Sequence, residues 1–166
     1  LDVIKLMGFL GEDLTAISVP GTLYDVEVEE RPAEDLVYTI IENIECNKNV
    51  LAFVPGKREV HNVMDELSNT DAVVLPLHGE MDWDEQSKCL ESYSKPKVVV
   101  ATNVAQTSLT IPDIDVVVDT GTARVSVAKD GIQGLFLEEI SLADIIQRKG
   151  RAGRTKDGKY ILCSDY

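Results

Sequence analysis

Residues 50–67 read VLAFVPGKREVHNVMDEL. Val50–Val54 is apolar without a break, as expected of a strand buried on both faces. Pro55-Gly56 then interrupts the chain. Lys57–Leu67 follows as a helix with Val60, Val63, Met64 and Leu67 on its inward face. A buried strand turning tightly into an amphipathic helix is the building unit of a parallel sheet covered by helices on both sides. The unit recurs downstream. Ala72–Leu75 is a second apolar strand, with a helix expected from about Asp82 to Ser92. Val98–Ala101 and Val116–Val118 are a third and a fourth strand. The fold class is α/β, with a mainly parallel central sheet.

Upstream, Tyr24–Glu29 sets Tyr24, Val26 and Val28 against Asp25, Glu27 and Glu29, the alternation of a half-buried strand. Pro32 opens a helix carrying Leu36, Val37, Ile40, Ile41 and Ile44 on one side. Leu1–Leu10 has a short helical pattern, Leu14–Val19 reads as a strand, and Pro20-Gly21 is a break. Two later stretches leave the strand–helix alternation. Thr122–Val127 and Ile132–Leu137 form a hairpin turning at Asp130-Gly131. Ser141-Leu142-Ala143-Asp144 is a serine cap with an acid three residues on, launching a helix toward Arg151. Lys156-Asp157-Gly158 is a turn, and Tyr160–Cys163 a last strand.

The 166 residues, 44% hydrophobic and 27% charged, suffice for one domain with a proper core plus a remnant of a neighbour. No apolar run approaches the ~20 residues of a membrane span, and Leu1–Leu10 lacks the features of a signal peptide. Cys46, Cys89 and Cys163 are scattered and form no CxxC. That argues against a disulfide scaffold or structural zinc, and for a reducing compartment, cytoplasmic or nuclear. With only His61 and His78, a histidine-rich metal site is excluded. Asp113, Asp115 and Asp119 are too spread to make one, so no metal-ligating residues are assigned. Trp83 is expected to cover a helix, and Cys89 to lie in the core.

The net charge of −13 excludes a broadly basic nucleic-acid surface, because phosphate affinity comes largely from Lys and Arg. Any contact with nucleic acid must therefore be small and use neutral donors as much as cations. Much of the acid falls in Asp25–Glu45, which reads as a solvated face and, more weakly, as a surface for a protein partner.

Ligands of open parallel sheets bind beyond the carboxyl ends of the strands. Four loops should converge there: Pro55-Gly56-Lys57, Pro76–Gly79, Thr102-Asn103 and Asp119-Thr120-Gly121. They offer hydroxyls, an amide and bare backbone N–H groups, which hydrogen-bond phosphate and sugar oxygens. The stronger signal is Gln147-Arg148-Lys149-Gly150-Arg151-Ala152-Gly153-Arg154. On a continuous helix Gln147, Arg151 and Arg154 would share a face. Paired guanidiniums with glycines that permit close approach suit a triphosphate tail.

Gly153–Lys159 fits GxxxxGK, but Tyr160 replaces the metal-holding Ser/Thr, and a helix precedes the stretch where a strand should. It is not a P-loop. The chain carries phosphate-sensing arginines without a cradle for the nucleotide. That is half a site.

These segments resemble the second RecA-like domain of superfamily 2 DEAH/DExH-box helicases. Gln147–Arg154 matches the family's motif VI, QRxGRAGR. Thr102–Ile111 matches motif V, TNIAETSLTI, with Gln106 where Glu is usual. Leu51–Val60 is similar to motif IV, and Pro76–Gly79 with Gln86 to the stretch between motifs IV and V. Pro20–Val28 is similar to the interdomain linker. The resemblance divides the chain into residues 1–19, the tail of a first RecA-like domain; 20–24, a linker; and 25–166, the second domain. The hairpin falls between motifs V and VI.

What the resemblance implies is the C-terminal motor domain of an ATP-dependent RNA helicase. Arg151 and Arg154 would be arginine fingers on the γ-phosphate, and Gln147 would help order the attacking water. Gly56, Thr102, Asn103 and Thr110 would face the nucleic-acid backbone, and Ser108 would couple that contact to the ATP site. ATP and Mg2+ would be held mainly by the first domain, so this fragment alone should be inactive. RNA is the expected partner, with DNA as a further substrate. Leu90 stands where relatives place an adenine-stacking Phe, and Pro112 at a place often polar. The alternatives are a helicase-derived module that binds RNA or protein without turnover, and a metabolic nucleotide-binding enzyme. The latter lacks GxGxxG.

Overall fold

The computed structural model describes residues 8–9, 24–107, 109–129 and 132–165. Residues 8–9 are helical. The strand expected at Leu14–Val19, the break at Pro20-Gly21, the hairpin turn at Asp130-Gly131 and the coupling role of Ser108 lie outside the described residues.

Eight strands are present among the described residues: β1 (Val26–Arg31), β2 (Val50–Phe53), β3 (Val73–Leu77), β4 (Lys97–Ala101), β5 (Val116–Asp119), β6 (Thr122–Lys129), β7 (Ile132–Glu139) and β8 (Gly158–Cys163). Six form one sheet in the order β1-β8-β5-β2-β4-β3, every pair parallel. β6 and β7 make a separate antiparallel pair, in register from Thr122↔Glu139 to Lys129↔Ile132.

The apolar strands explain the layering. In β2, Val50 and Ala52 face one way and Leu51 and Phe53 the other, and all four are buried. One face is covered by α1 (Leu36–Glu45) and α2 (Lys57–Glu66), through Ile40, Ile44, Val60 and Val63. The opposite core contains Leu77, Cys89, Ala105, Leu109, Ile111, Ala152 and Tyr160. It is closed by the 3-10 turn Lys88–Leu90 that follows α3 (Trp83–Ser87), by α4 (Val104–Thr107) and by α5 (Leu142–Lys149).

Several boundaries differ from the sequence reading. α1 is preceded by a 3-10 turn at Ala33–Asp35 rather than starting at Pro32. β3 runs on through Pro76, which is tolerated because β3 is an edge strand and the missing N–H faces no neighbour. The helix expected over Asp82–Ser92 divides into α3 and a 3-10 turn, Lys88–Leu90. A buried cation is the local reason. Lys97 Nζ takes the carbonyls of Cys89 and Glu91, each at 2.9 Å, and the Asp113 carboxylate at 2.6 Å. Those carbonyls turn toward the ammonium instead of continuing a helix.

Cys89 is buried as expected, which pushes its thiol up to about 11. Leu90 packs against this second core. Trp83, in contrast, is largely exposed rather than covering a helix.

The acidic N-terminal face is partly neutralised. Arg31 pairs with Glu29 at 2.5 Å and Glu42 at 2.7 Å, and Lys159 also holds Glu29. No helix among the described residues is long and apolar enough to cross a membrane.

Candidate functional site

α5 begins as its sequence demands. Ser141 accepts the Asp144 N–H, and Asp144 accepts the Ser141 N–H, a complete capping box. The helix stops at Lys149, so Arg151 and Arg154 do not continue the helical face that carries Gln147. Gly150 caps it, and the next two amides fold into tighter turns, from Arg151 to the Arg148 carbonyl and from Ala152 to that of Lys149. Gly153 then adopts φ of +66°, which L side chains rarely enter. A Cβ there would lie 2.5 Å from Val26 Cγ2. The motif is a helix end folded back on the sheet.

That fold-back separates its three arginines. Arg148 is sealed inside. It pairs with Asp119 at 2.7 Å, the two side chains being 1% and 0% exposed, and its guanidinium lies 4.7 Å from the Phe53 ring centroid. Asp119 also accepts from Tyr160 Oη and the Gly121 N–H, both at 2.8 Å. Burial, with Asp119 adjacent, pushes the Tyr160 hydroxyl far above its ordinary range, so it remains a donor.

Arg151 and Arg154 form no ion pair among the described residues. Arg151 donates to the Leu109 carbonyl at 3.2 Å, to Thr110 Oγ1 at 3.4 Å, and to the Gln106 carbonyl. Its Nε is buried without a hydrogen-bond partner. Desolvation, and then the neighbouring Arg154, lower its pKa from the ordinary arginine value. Arg154 is exposed and donates to the Gly150 carbonyl at 3.3 Å. Two guanidiniums close enough to repel, with no carboxylate between them, fit the oxygens of a phosphate chain. Beside Arg154 opens a cleft of about 730 Å³ lined by Tyr24, Ile146 and Lys149 among others.

The structure brings Gln147 and Thr110 to these arginines, Gln147 through Gln106 and Thr110 by direct contact. It places the other nucleic-acid candidates elsewhere. Thr102 is buried at the end of β4, its N–H bonded to the Leu77 carbonyl at 3.0 Å. Asn103 is exposed and lines a cleft of about 410 Å³ between α4, the hairpin root and the start of α5. Gly56 caps α2 and is buried beneath an ion pair between hairpin Arg124 and Glu59, 2.7 Å apart. A Cβ at Gly56 would meet Arg124 Cδ and Glu59 Oε2, each at 2.8 Å. The small residue there admits the hairpin's anchor.

The acids set aside as metal ligands each serve a different cation: Asp113 holds Lys97, Asp115 holds Lys156 and Asp119 holds Arg148. Among the described residues, no group of three or more His, Cys, Asp or Glu is placed to hold a metal ion.

Gln106, Arg148, Asp119 and Lys97 carry much of this arrangement, and reading the sequence did not single them out as functional groups. Arg148 lies 42 positions from Gln106 and 29 from Asp119, and Lys97 lies 16 from Asp113, so no local pattern announces these pairings. For Gln106 the one available signal was its departure from the usual Glu.

A fully parallel α/β sheet with a hairpin between two motif-bearing helices, and an arginine-rich helix end lacking its own nucleotide cradle, defines a RecA-like half of a helicase motor. Comparison with known proteins agrees. The chain belongs to the family described as the helicase conserved C-terminal domain, which matches residues 33–156. It is 37% identical over 160 residues to the ATP-dependent RNA helicase HrpA of Escherichia coli, covering 86% of this chain and 12% of that protein. It is 36% identical over 164 residues to the probable ATP-dependent RNA helicase DHX35 homolog of Caenorhabditis elegans, covering 86% of this chain and 22% of that one. The crystal structure of the E. coli DExH-box NTPase HrpB superposes with a TM-score of 0.78 at 30% identity, over 86% of this chain and 20% of that chain. The chain thus spans a small part of the relatives it matches, and its kinship lies among DEAH/DExH RNA helicases.

Proposed function

We propose that this chain is the C-terminal motor half of an ATP-dependent RNA helicase, coupling nucleoside-triphosphate hydrolysis to movement along nucleic acid or its unwinding. The observation that carries the reading is the pair Arg151 and Arg154, which form no ion pair among the described residues while Arg148 beside them is fully neutralised. Residues 25–166 are the second RecA-like domain in this reading, 20–24 the linker and 1–19 the tail of the first.

ATP with Mg2+, when bound, supplies the phosphoanhydride whose hydrolysis drives the cycle. This chain contributes charge and position. Arg151, held from behind by carbonyls of 106 and 109, presents its guanidinium to γ-phosphate oxygens when the first domain closes. Arg154 adds a second, exposed positive charge. Gln147 lies exposed on the last helical turn and orients water. Thr110 is exposed and touches Arg151, so a phosphate contact at Thr110 is felt one hydrogen bond from the catalytic arginine. Asn103 serves the same strand from the cleft under the hairpin, with the Thr102 and Gly56 backbone shaping the loops around it. Ser108 completes the coupling segment. Neutral donors of this kind let a motor release its track on every step. A cytoplasmic or nuclear setting agrees with the free cysteines.

The test is ATP hydrolysis by the full-length protein with and without single-stranded RNA, and with DNA of the same sequence. Stimulation by RNA above that by DNA is the expected result. Absent turnover with RNA binding retained would favour the non-catalytic module instead.

A further inference from the structure

Gln106 sits where α4 meets α5 and is only 7% exposed. Its amide nitrogen donates to Asp144 Oδ1 at 2.5 Å and lies 3.4 Å from Gln147 Oε1. Its amide oxygen accepts from Arg148 Nε at 3.1 Å. Its backbone carbonyl accepts from the Arg151 guanidinium. One residue of the nucleic-acid segment therefore touches four residues of the arginine-bearing one.

The chemistry of that position is demanding. Arg148 can only give protons, and ionised Asp144 can only take them. A side chain wedged between them must accept at one end and donate at the other, which an amide does and a carboxylate does not. Glu at 106 would keep the Arg148 contact but set two like charges at hydrogen-bond distance. The Ser141 hydroxyl and the Gln106 amide both hold the Asp144 carboxyl below the usual aspartate range, so it is ionised where this amide needs an acceptor. Gln106 and Asp144 thus form a matched pair in which the negative charge belongs to α5.

Building on the helicase reading, we infer that Gln106 is a positioning residue. It transmits the state of the loop 102–110 to Gln147 and Arg151, and Asp144 fixes which end of its amide faces which partner. Asn103 and Thr110 flank it on the nucleic-acid side, and Thr110 reaches Arg151 directly. A shift of this segment therefore moves the Gln106 carbonyl and its amide together, and with them Arg151 and Gln147, two of the three groups assigned to ATP.

The experiment uses the full-length protein, with ATPase measured at saturating and zero single-stranded RNA. In Gln106→Glu, RNA-stimulated kcat should fall about tenfold or more while KM for ATP stays within about twofold, as expected when positioning and not binding is lost. In Gln106→Glu combined with Asp144→Asn, the donor and acceptor are exchanged between the two positions. Stimulated turnover should then return to within about threefold of wild type.

Wild-type stimulation in Gln106→Glu overturns the inference. So does failure of Asp144→Asn to rescue it, including failure to restore folding if the single variant does not fold. The two readings fail differently: a wild-type protein without RNA-stimulated turnover sinks the helicase function itself, whereas an active wild type with no rescue sinks only this pair.

Discussion

Arg148 and Arg151 lie one helical turn apart in sequence and meet opposite fates. Arg148 projects from the last turn of α5 into the sheet, where Asp119, Gln106 and the Phe53 ring consume its charge. Arg151 follows the Gly150 cap, outside the helix, where backbone carbonyls and a threonine steer the guanidinium without neutralising it. The helix end is the dividing line. A charge placed before it belongs to the fold, and one placed after it remains available to an anion. The contrast explains why the motif concentrates so many cations in one turn of an otherwise acidic chain.

The largest expected effect falls on the free side. In the full-length protein Arg151→Ala should lower RNA-stimulated kcat by at least ~10³-fold, the scale of an arginine that stabilises a transferring phosphoryl group. Urea unfolding should move by only about 1 kcal/mol, because the lost hydrogen bonds go to partly exposed acceptors. Near-normal turnover would remove the distinction between the two arginines. The sealed side should answer in stability instead. Arg148→Ala strands the fully buried Asp119 carboxylate with only Tyr160 and a backbone N–H for company. A cost of about 3–5 kcal/mol is expected from chemical denaturation. A loss below ~1 kcal/mol would mean that Arg148 is no anchor.

How much of this was legible beforehand follows the same line. Runs such as Val50–Val54 and Val98–Ala101 announced buried parallel strands, because only a strand covered on both faces tolerates continuous apolar sequence. The serine cap of α5 was equally plain, being written within four residues. The arginine cluster stood out in the sequence, but its supposed common helical face was not real, because the helix ends at Lys149. Periodicity extends a helix through glycines that the fold uses to end it. α4 is too short for any periodic signal. The Arg148–Asp119 pair joins positions 29 apart in sequence, and the three acceptors of Lys97 come together only in the fold. Pairings made by sheet topology are invisible to local pattern.

Two glycines sharpen the boundary between the regions. Gly153→Ala must hold φ near +66° and push against Val26. That should cost about 1–3 kcal/mol and displace the turn that carries Arg154. Gly150→Ala has ordinary φ, and its nearest obstacle is the Ile146 carbonyl at 3.4 Å. It should change stability by less than ~1 kcal/mol. Thermal unfolding of both variants, beside their ATPase, separates a strained fold-back from a general intolerance of side chains. Equal effects at the two positions would place the dividing line elsewhere.

The smallest effect concerns acid. The Ser141 hydroxyl, and next the Gln106 amide, hold the Asp144 carboxyl below the ordinary aspartate range, outweighing a desolvation that opposes them. The folded pKa is thus lower than the unfolded one, so the unfolded chain binds more protons between the two values. The stabilisation from this group is complete above the unfolded aspartate value of about 3.9 and is lost as pH falls through the depressed folded value. Melting curves of wild type and Asp144→Asn should therefore converge on acidification, the wild type losing its margin only below about pH 4. Partial exposure of the carboxylate keeps that margin small. Parallel curves would mean that the carboxylate gains nothing from its partners, and that the sealed side rests on Arg148 and Asp119 alone. Arg151 stays charged throughout this range even with its lowered pKa, so acid loosens the anchored region before it alters the free one.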